Sequence, residues 1–188
     1  MDNVLVQYAS ALQKVYWYAY LQVLWVLFTL AGLIIFGIFP ATRALMTVMN
    51  QQTDTSAVDI FHTFRQAYQE VFFAINKASI LWTIMLILMS VNLLILPETQ
   101  QILRLLALGM ICFLLLCIVH FIYFFHYREP TFVQIKQSFA HACLHPRKNV
   151  GYACIFLLLG IAILFIPGIT CFFGVSVTAK LITHIATN

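Results

Sequence analysis

The chain has 188 residues, of which 63% are hydrophobic and 9% charged, with a formal net charge of +4. A soluble domain carries about 25% charged residues, so this composition excludes a water-covered domain of any size and makes lipid the solvent for most of the chain. The ten Lys and Arg form no basic block and no basic helix face, which excludes nucleic acid as a partner.

Residues 2–18 read as an amphipathic helix. Leu5, Tyr8, Leu12 and Val15 make one stripe, while Asp2, Gln7, Gln13 and Lys14 are polar. The cluster Tyr16, Trp17, Tyr18 and Tyr20 has the composition of an interfacial aromatic belt. A first span is predicted from about Tyr20 to Phe39, since a bilayer core needs about 20 residues of helix. The run is too long for a signal peptide and lacks a small-residue cleavage site, so it is expected to stay as an anchor. Pro40 predicts a kink, with the helix continuing through Ala41–Met49.

The polar stretch Asn50 to Ser56 reads as a loop in which Asp54 or Ser56 would cap the next helix. That helix, about 57–76, is amphipathic. Phe61, Phe64, Tyr68, Phe72 and Ile75 share one face, and Asp59, His62, Gln66, Gln69 and Glu70 lie away from it. The pattern predicts a helix lying along the membrane surface. A second span follows from about Ala78 to Leu96, then a Pro97-Glu98-Thr99 turn, then a third span from about Gln101 to Phe125. A second amphipathic helix, about 131–144, carries Phe132, Ile135, Phe139 and Cys143 on one face, and Pro146 ends it. The fourth span is about Asn149 to Ile166, Pro167-Gly168 is a turn, and a fifth segment covers 169–186.

The two amphipathic segments belong to a longer duplication. Phe61 to Leu88 lies over Phe132 to Leu159 at a constant offset of 71 residues, pairing Phe61 with Phe132, Arg65 with Lys136, Tyr68 with Phe139 and Lys77 with Lys148. The expected architecture is therefore an all-α integral membrane protein in one transmembrane domain, 1–188. It would have about five transmembrane helices, two cytoplasmic amphipathic interfacial helices and an internal parallel repeat. Repeat one is about 20–97, repeat two about 98–167, and the final span about 169–186.

Basic residues set the expected orientation. Arg43, Arg65, Lys77, Arg128, Lys136, Arg147 and Lys148 fall in two loops on one side, against Lys14 and Arg104 on the other. The positive-inside rule places those loops in the cytoplasm, the N-terminus outside and the C-terminus inside.

Candidate sites are few. Gln22, Asn92, Glu98, Gln100, Gln101 and Arg104 collect at the outer ends of the spans. They read either as a polar vestibule for a solute or lipid headgroup, or as interfacial anchors with a local Glu98–Arg104 pair. His120 has no acidic neighbour in sequence, which favours an interhelical hydrogen bond over a proton relay. His141 and His145 have a zinc-compatible spacing, but no third ligand is recognisable. The five cysteines form no C-x-x-C pair and read as small hydrophobes. There is no nucleophile elbow, phosphate-binding loop or dinucleotide fingerprint. The expectation is a non-enzymatic protein with no cofactor and no metal. The two aromatic helices, with Phe61, Phe64, Arg65, Tyr68, Phe132, Lys136 and Phe139, read equally as a membrane-surface belt or as a docking surface for a partner.

Three stretches carry a resemblance. LQVLWVLFTLAGLIIFGIFPATRALMTVM, with Gly37, Pro40, Ala41 and Ala44–Leu45, resembles the YesL-like bacterial membrane proteins. FHTFRQAYQEVFFAINKASILW is similar to that family's aromatic helix, and PGITCFFGVSVTAKLI to its C-terminal span. The resemblance implies a multi-pass protein of the Gram-positive cytoplasmic membrane, of a kind often encoded beside carbohydrate ABC importers. It therefore implies permease subunits of such a system as partners. It supplies no catalytic residues.

Overall fold

A computed structural model describes residues 2–51 and 57–187, and every regular element among them is a helix. The expected caps Asp54 and Ser56, and the side chain of Leu5, lie outside the described residues. Seven helices follow in order: α1 (Asp2–Ala31), α2 (Ile38–Asn50), α3 (Ala57–Ile95), α4 (Gln101–Phe124), α5 (Thr131–Leu144), α6 (Pro146–Phe165) and α7 (Pro167–Thr187). Four of them, α3, α4, α6 and α7, are long and apolar enough to cross a membrane. Their outward side chains are apolar and bare, as at Leu94 (83% exposed) and Leu164 (81%). Surfaces of that kind are stable only against lipid or protein.

The expected first span is broken. α1 stops at Ala31, and residues 32–37 turn the chain back on itself. Leu33 and Ile34 take left-handed backbone angles (φ 56° and 64°), each costing about 1–2 kcal/mol for a residue with a Cβ. The Ile34 N–H donates to the Thr29 carbonyl (2.9 Å) and the Leu33 N–H to that of Leu30 (3.0 Å), closing the end of α1. Gly32 and Gly37 make the reversal possible, because a Cβ on either would run into the backbone of the other arm. α2 then returns beside α1, where the Trp25 indole donates to the Thr42 hydroxyl (3.0 Å). Pro40 falls in the first turn of α2, where proline is tolerated, and makes no kink.

At 13 residues, or about 20 Å, α2 is too short to cross a core of about 30 Å. Among the described residues, four helices are long and apolar enough to be spans, rather than about five. The outside placement of the N-terminus rested on a continuous first span, and that helix is not there. The hairpin tip is clamped from α3: Tyr68 OH donates to the Phe28 carbonyl (3.1 Å) and Asn76 Nδ2 to that of Phe36 (2.9 Å).

The first amphipathic segment is not a separate surface helix. It runs unbroken into the second span as the 39 residues of α3, because nothing between Ala57 and Ile95 is proline or glycine. The second copy does break, at His145–Pro146, which stand where α3 has Ala74–Ile75. α5 folds back along α4, and its Phe139 ring reaches Phe113 (6.1 Å) and Trp82 of α3 (5.3 Å). The buried face keeps the same phase in both copies, with Phe64 and Ile135, and Ala67 and Ser138, all buried. The core runs through Leu21, Leu45, Met49, Phe64, Ile75, Trp82, Phe121 and Tyr152.

Candidate functional site

The polar residues grouped at the outer ends do not form one vestibule. Gln22 is buried and clamps α1 to α7, its Nε2 donating to the Cys171 carbonyl (3.1 Å) and its Oε1 accepting from the Ser176 N–H (3.0 Å). Asn92 and Glu98 are exposed near the α3–α4 turn. Arg104 sits with Gln101 in a shallow cleft between Leu93 and Leu108. No ion pair joins Glu98 to Arg104 among the described residues. The candidate docking residues also divide. Phe64 and Tyr68 are buried, and Phe61 and Phe139 pack partly inward. Arg65, Phe132 and Lys136 stay exposed. The aromatic faces are therefore spent on the protein's own helices, with Phe28 of α1 seated against Phe61, Phe64 and Tyr68 (centroids 6.1, 5.1 and 4.9 Å).

A different set of residues comes together where α4, α5, α6 and α7 meet. The break at His145–Pro146 starts α6 with proline at its first position, where the missing N–H costs nothing. That places Asn149 one turn in, beside His120 of α4. His120 is 1% exposed, and its Nε2 lies 2.9 Å from Asn149 Oδ1. Asn149 Nδ2 donates to the Ala142 carbonyl near the end of α5. His120 is thus the interhelical hydrogen-bonding residue that its sequence setting favours, and Asn149 joins three helices through one amide.

The imidazoles form a file from inside to outside. The His120 ring is 6.2 Å from His141, which stacks on Phe124 (4.5 Å) and lies 5.5 Å from His145. Burial, with His145 and Lys148 nearby, pushes His141 below the usual histidine range. His120 Nδ1 and the Tyr152 hydroxyl, whose rings are 5.2 Å apart, are buried without a hydrogen-bond partner. No group of three or more His, Cys, Asp or Glu among the described residues is placed to hold a metal ion. His141 and His145 therefore gain no third ligand there.

Two cations close the same end of the fold. Arg43 of α2 donates to the carbonyls of Tyr123 (2.7 Å) and Phe125 (3.2 Å), at the C-terminus of α4. Lys148 donates to the Ala186 carbonyl in the last turn of α7 (2.8 Å). Both groups fill carbonyls that a helix leaves open at its end, where the dipole also favours a cation. Beside Lys148 lies a cavity of about 520 Å³ walled by residues 144–148, His184 and Ile185.

Sequence reasoning did not single out Asn149, Tyr152 or the capping role of Arg43. Asn149 did carry a signal, as an amide at the threshold of an apolar run. Nothing in the sequence pairs Tyr152 with His120.

The family of proteins of unknown function DUF624 matches residues 18–93. The uncharacterized protein YteU of Bacillus subtilis (strain 168) is 27% identical over 164 residues, 85% of this chain and 74% of that protein. YesV of the same organism is 28% identical over 170 residues, 83% of this chain and 78% of its own length. YesL is 45% identical over 56 residues, 27% of each. All three are uncharacterized. No solved structure matches the chain.

Proposed function

We propose that this YesL-like membrane protein is a non-enzymatic accessory or assembly partner of a carbohydrate ABC import system, seated in the cytoplasmic membrane against permease subunits. The observation that carries the reading is α3. Its 39 residues extend about 58 Å, nearly twice the roughly 30 Å core of a bilayer. About half of the helix is therefore surplus to a perpendicular crossing. In the first half, the aromatic face is stiffened by α1 and α2. The opposite face presents His62, Arg65, Gln66, Gln69 and Glu70 around a surface cleft of about 250 Å³. Phe73 stands bare beside it, 84% exposed. A rigid, polar helix face with an exposed aromatic suits contact with another protein. The carbohydrate setting rests on the resemblance to the YesL-like family.

The docking surface is thus the exposed polar face with Arg65 rather than the aromatic face; of the other candidate residues, Phe132 and Lys136 on α5 also remain exposed. The orientation that goes with it places both basic loops in the cytoplasm.

The test is co-purification with permease subunits from native membranes after mild detergent extraction. Arg65→Glu combined with Lys136→Glu is expected to leave the amount and thermal stability of the protein intact, because exposed substitutions shift stability by under about 0.5 kcal/mol. It is expected to reduce permease recovery. Recovery that survives unchanged at normal protein levels overturns the docking reading. A second reading, a solute- or lipid-binding module, loses its outer cluster because Gln22 is committed to α7. The basic cavity beside Lys148 gives it a different basis.

A further inference from the structure

The open end of the α6–α7 hairpin holds a feature that docking through α3 does not use. The cavity of about 520 Å³ there is walled by His145, Arg147, Lys148 and His184, with Leu144, Pro146 and Ile185 as apolar neighbours and no carboxylate among the described residues. Arg147 is exposed and meets no partner among the described residues. Lys148 is turned toward the Ala186 carbonyl and remains part of the wall. The first turn of α6 forms one side, so the positive end of a 20-residue helix adds to the field.

A second depression, of about 220 Å³, runs along the same two helices between Ile155, Leu159 and Ala162 on one side and Phe173, Val177 and Leu181 on the other. Its lining is apolar but for two threonines. Leu181 lies one helical turn from Ile185 of the cavity. From Leu181 to Ile169 the groove covers about 18 Å of helix, close to the depth of one leaflet of a roughly 30 Å core. A cationic cavity leading into an apolar trough of leaflet depth is complementary to an anionic phospholipid. Free phosphate would fill only the first part, and a zwitterionic lipid would bring a cation to a basic wall.

We propose that the α6–α7 hairpin is a lipid site, with the phosphate-bearing headgroup between His145, Arg147, Lys148 and His184 and one acyl chain along the groove. Basic pockets between spans on the positively charged side of a membrane protein suit such headgroups.

The full-length protein in mild detergent, titrated by native mass spectrometry with phosphatidylglycerol, phosphatidylcholine of matched chains and inorganic phosphate, tests this. Phosphatidylglycerol is expected to bind tighter than phosphatidylcholine by about 25-fold, from two cations at about fivefold each. Arg147→Gln is expected to weaken phosphatidylglycerol about fivefold and Arg147→Lys to restore it, with phosphatidylcholine unmoved. Ala162→Trp, which fills the groove, should weaken the lipid and leave phosphate unaffected. Equal retention of the two lipids, or an Arg147→Gln variant that binds like the parent, overturns the proposal. Phosphate that binds as tightly as phosphatidylglycerol assigns the cavity to a free anion and overturns the lipid site. Since Arg147 is exposed, its variants stay interpretable if Ala162→Trp fails to fold. The result is independent of permease recovery.

Discussion

Arg43 ties the α1–α2 hairpin to the end of α4. Its guanidinium donates to the Tyr123 and Phe125 carbonyls, at 2.7 and 3.2 Å. These carbonyls close α4 and have no intrahelical donor. A hydrogen bond with a charged partner contributes about 1.5–3 kcal/mol net. Arg43 is only half-buried, so the lower end applies, giving about 3 kcal/mol for the pair. Arg43→Ala removes both bonds and leaves the carbonyls open. Arg43→Lys keeps the charge but has no planar fork to reach two acceptors, so it should lose about half as much. Arg65→Ala is the control, an exposed cation expected to cost under about 0.5 kcal/mol. For a chain of this size each kcal/mol moves the midpoint by about 2–4 °C. Thermal unfolding in mild detergent should therefore rank Arg65→Ala, Arg43→Lys and Arg43→Ala in falling order. The last is expected about 6–12 °C below the parent. An Arg43→Ala protein that unfolds no earlier than Arg65→Ala would show that the Arg43 contact does not stabilise the hairpin against α4.

Asn149→Ala strips the Ala142 carbonyl and His120 Nε2 of their shared partner. At about 1–3 kcal/mol for each buried group left unsatisfied, it should destabilise more than His120→Phe with Asn149→Leu, which also opens the Ala142 carbonyl but leaves no imidazole nitrogen stranded. Similar midpoints for the two would remove the amide bridge as a stabilising contact. For His141 the folded-state pKa lies below the unfolded value. The unfolded chain therefore takes up more protons as pH falls through the histidine range near about 6.5. Its contribution is present above that pH and lost below it. Midpoints measured from about pH 7.5 to 5.5 should fall in the parent and flatten in His141→Gln, and an unchanged slope would refute the assignment.

The spans that were legible in the sequence are those bounded by hard signals. α4 lies between the Pro97 turn and the Tyr127–Pro130 stretch, and α6 and α7 meet at Ile166–Pro167, so apolar length alone located them. The hairpin tip was not legible, because Gly32-Leu33-Ile34-Ile35-Phe36-Gly37 is as apolar as the helix it interrupts. Only two glycines five residues apart marked the place where one backbone passes against another. The continuity of α3 was hidden by the opposite bias. Asn76 and Lys77 look like a boundary, yet neither residue can end a helix as Pro146, which stands where α3 has Ile75, ends α5.

The roles of the candidate polar residues were hard to read for a related reason. Polar residues in an apolar chain attract attention as binding groups. In this fold most of them answer a backbone need, because hydrocarbon offers no donor or acceptor to an interrupted helix. Tyr68 and Asn76 hold the hairpin tip. Arg43 and Lys148 close α4 and α7. Gln134 bonds the His126 and Glu129 carbonyls at the α4–α5 turn, and Asn149 bridges the α5–α6 break. Gln22, which seemed part of an outer vestibule, meets carbonyl and amide groups of α7 nearly the whole chain away, a partnership that spacing cannot reveal. Once these are assigned to the fold, fewer polar groups among the described residues are left without a structural task. They include Lys77, Glu98 and Arg104 as well as the exposed strip of α3 around Arg65 and Arg147 at the mouth of the α6–α7 groove. The last two stand out because each lines a surface cavity with other polar side chains, so a charge there has neighbours with which to hold a partner or a ligand.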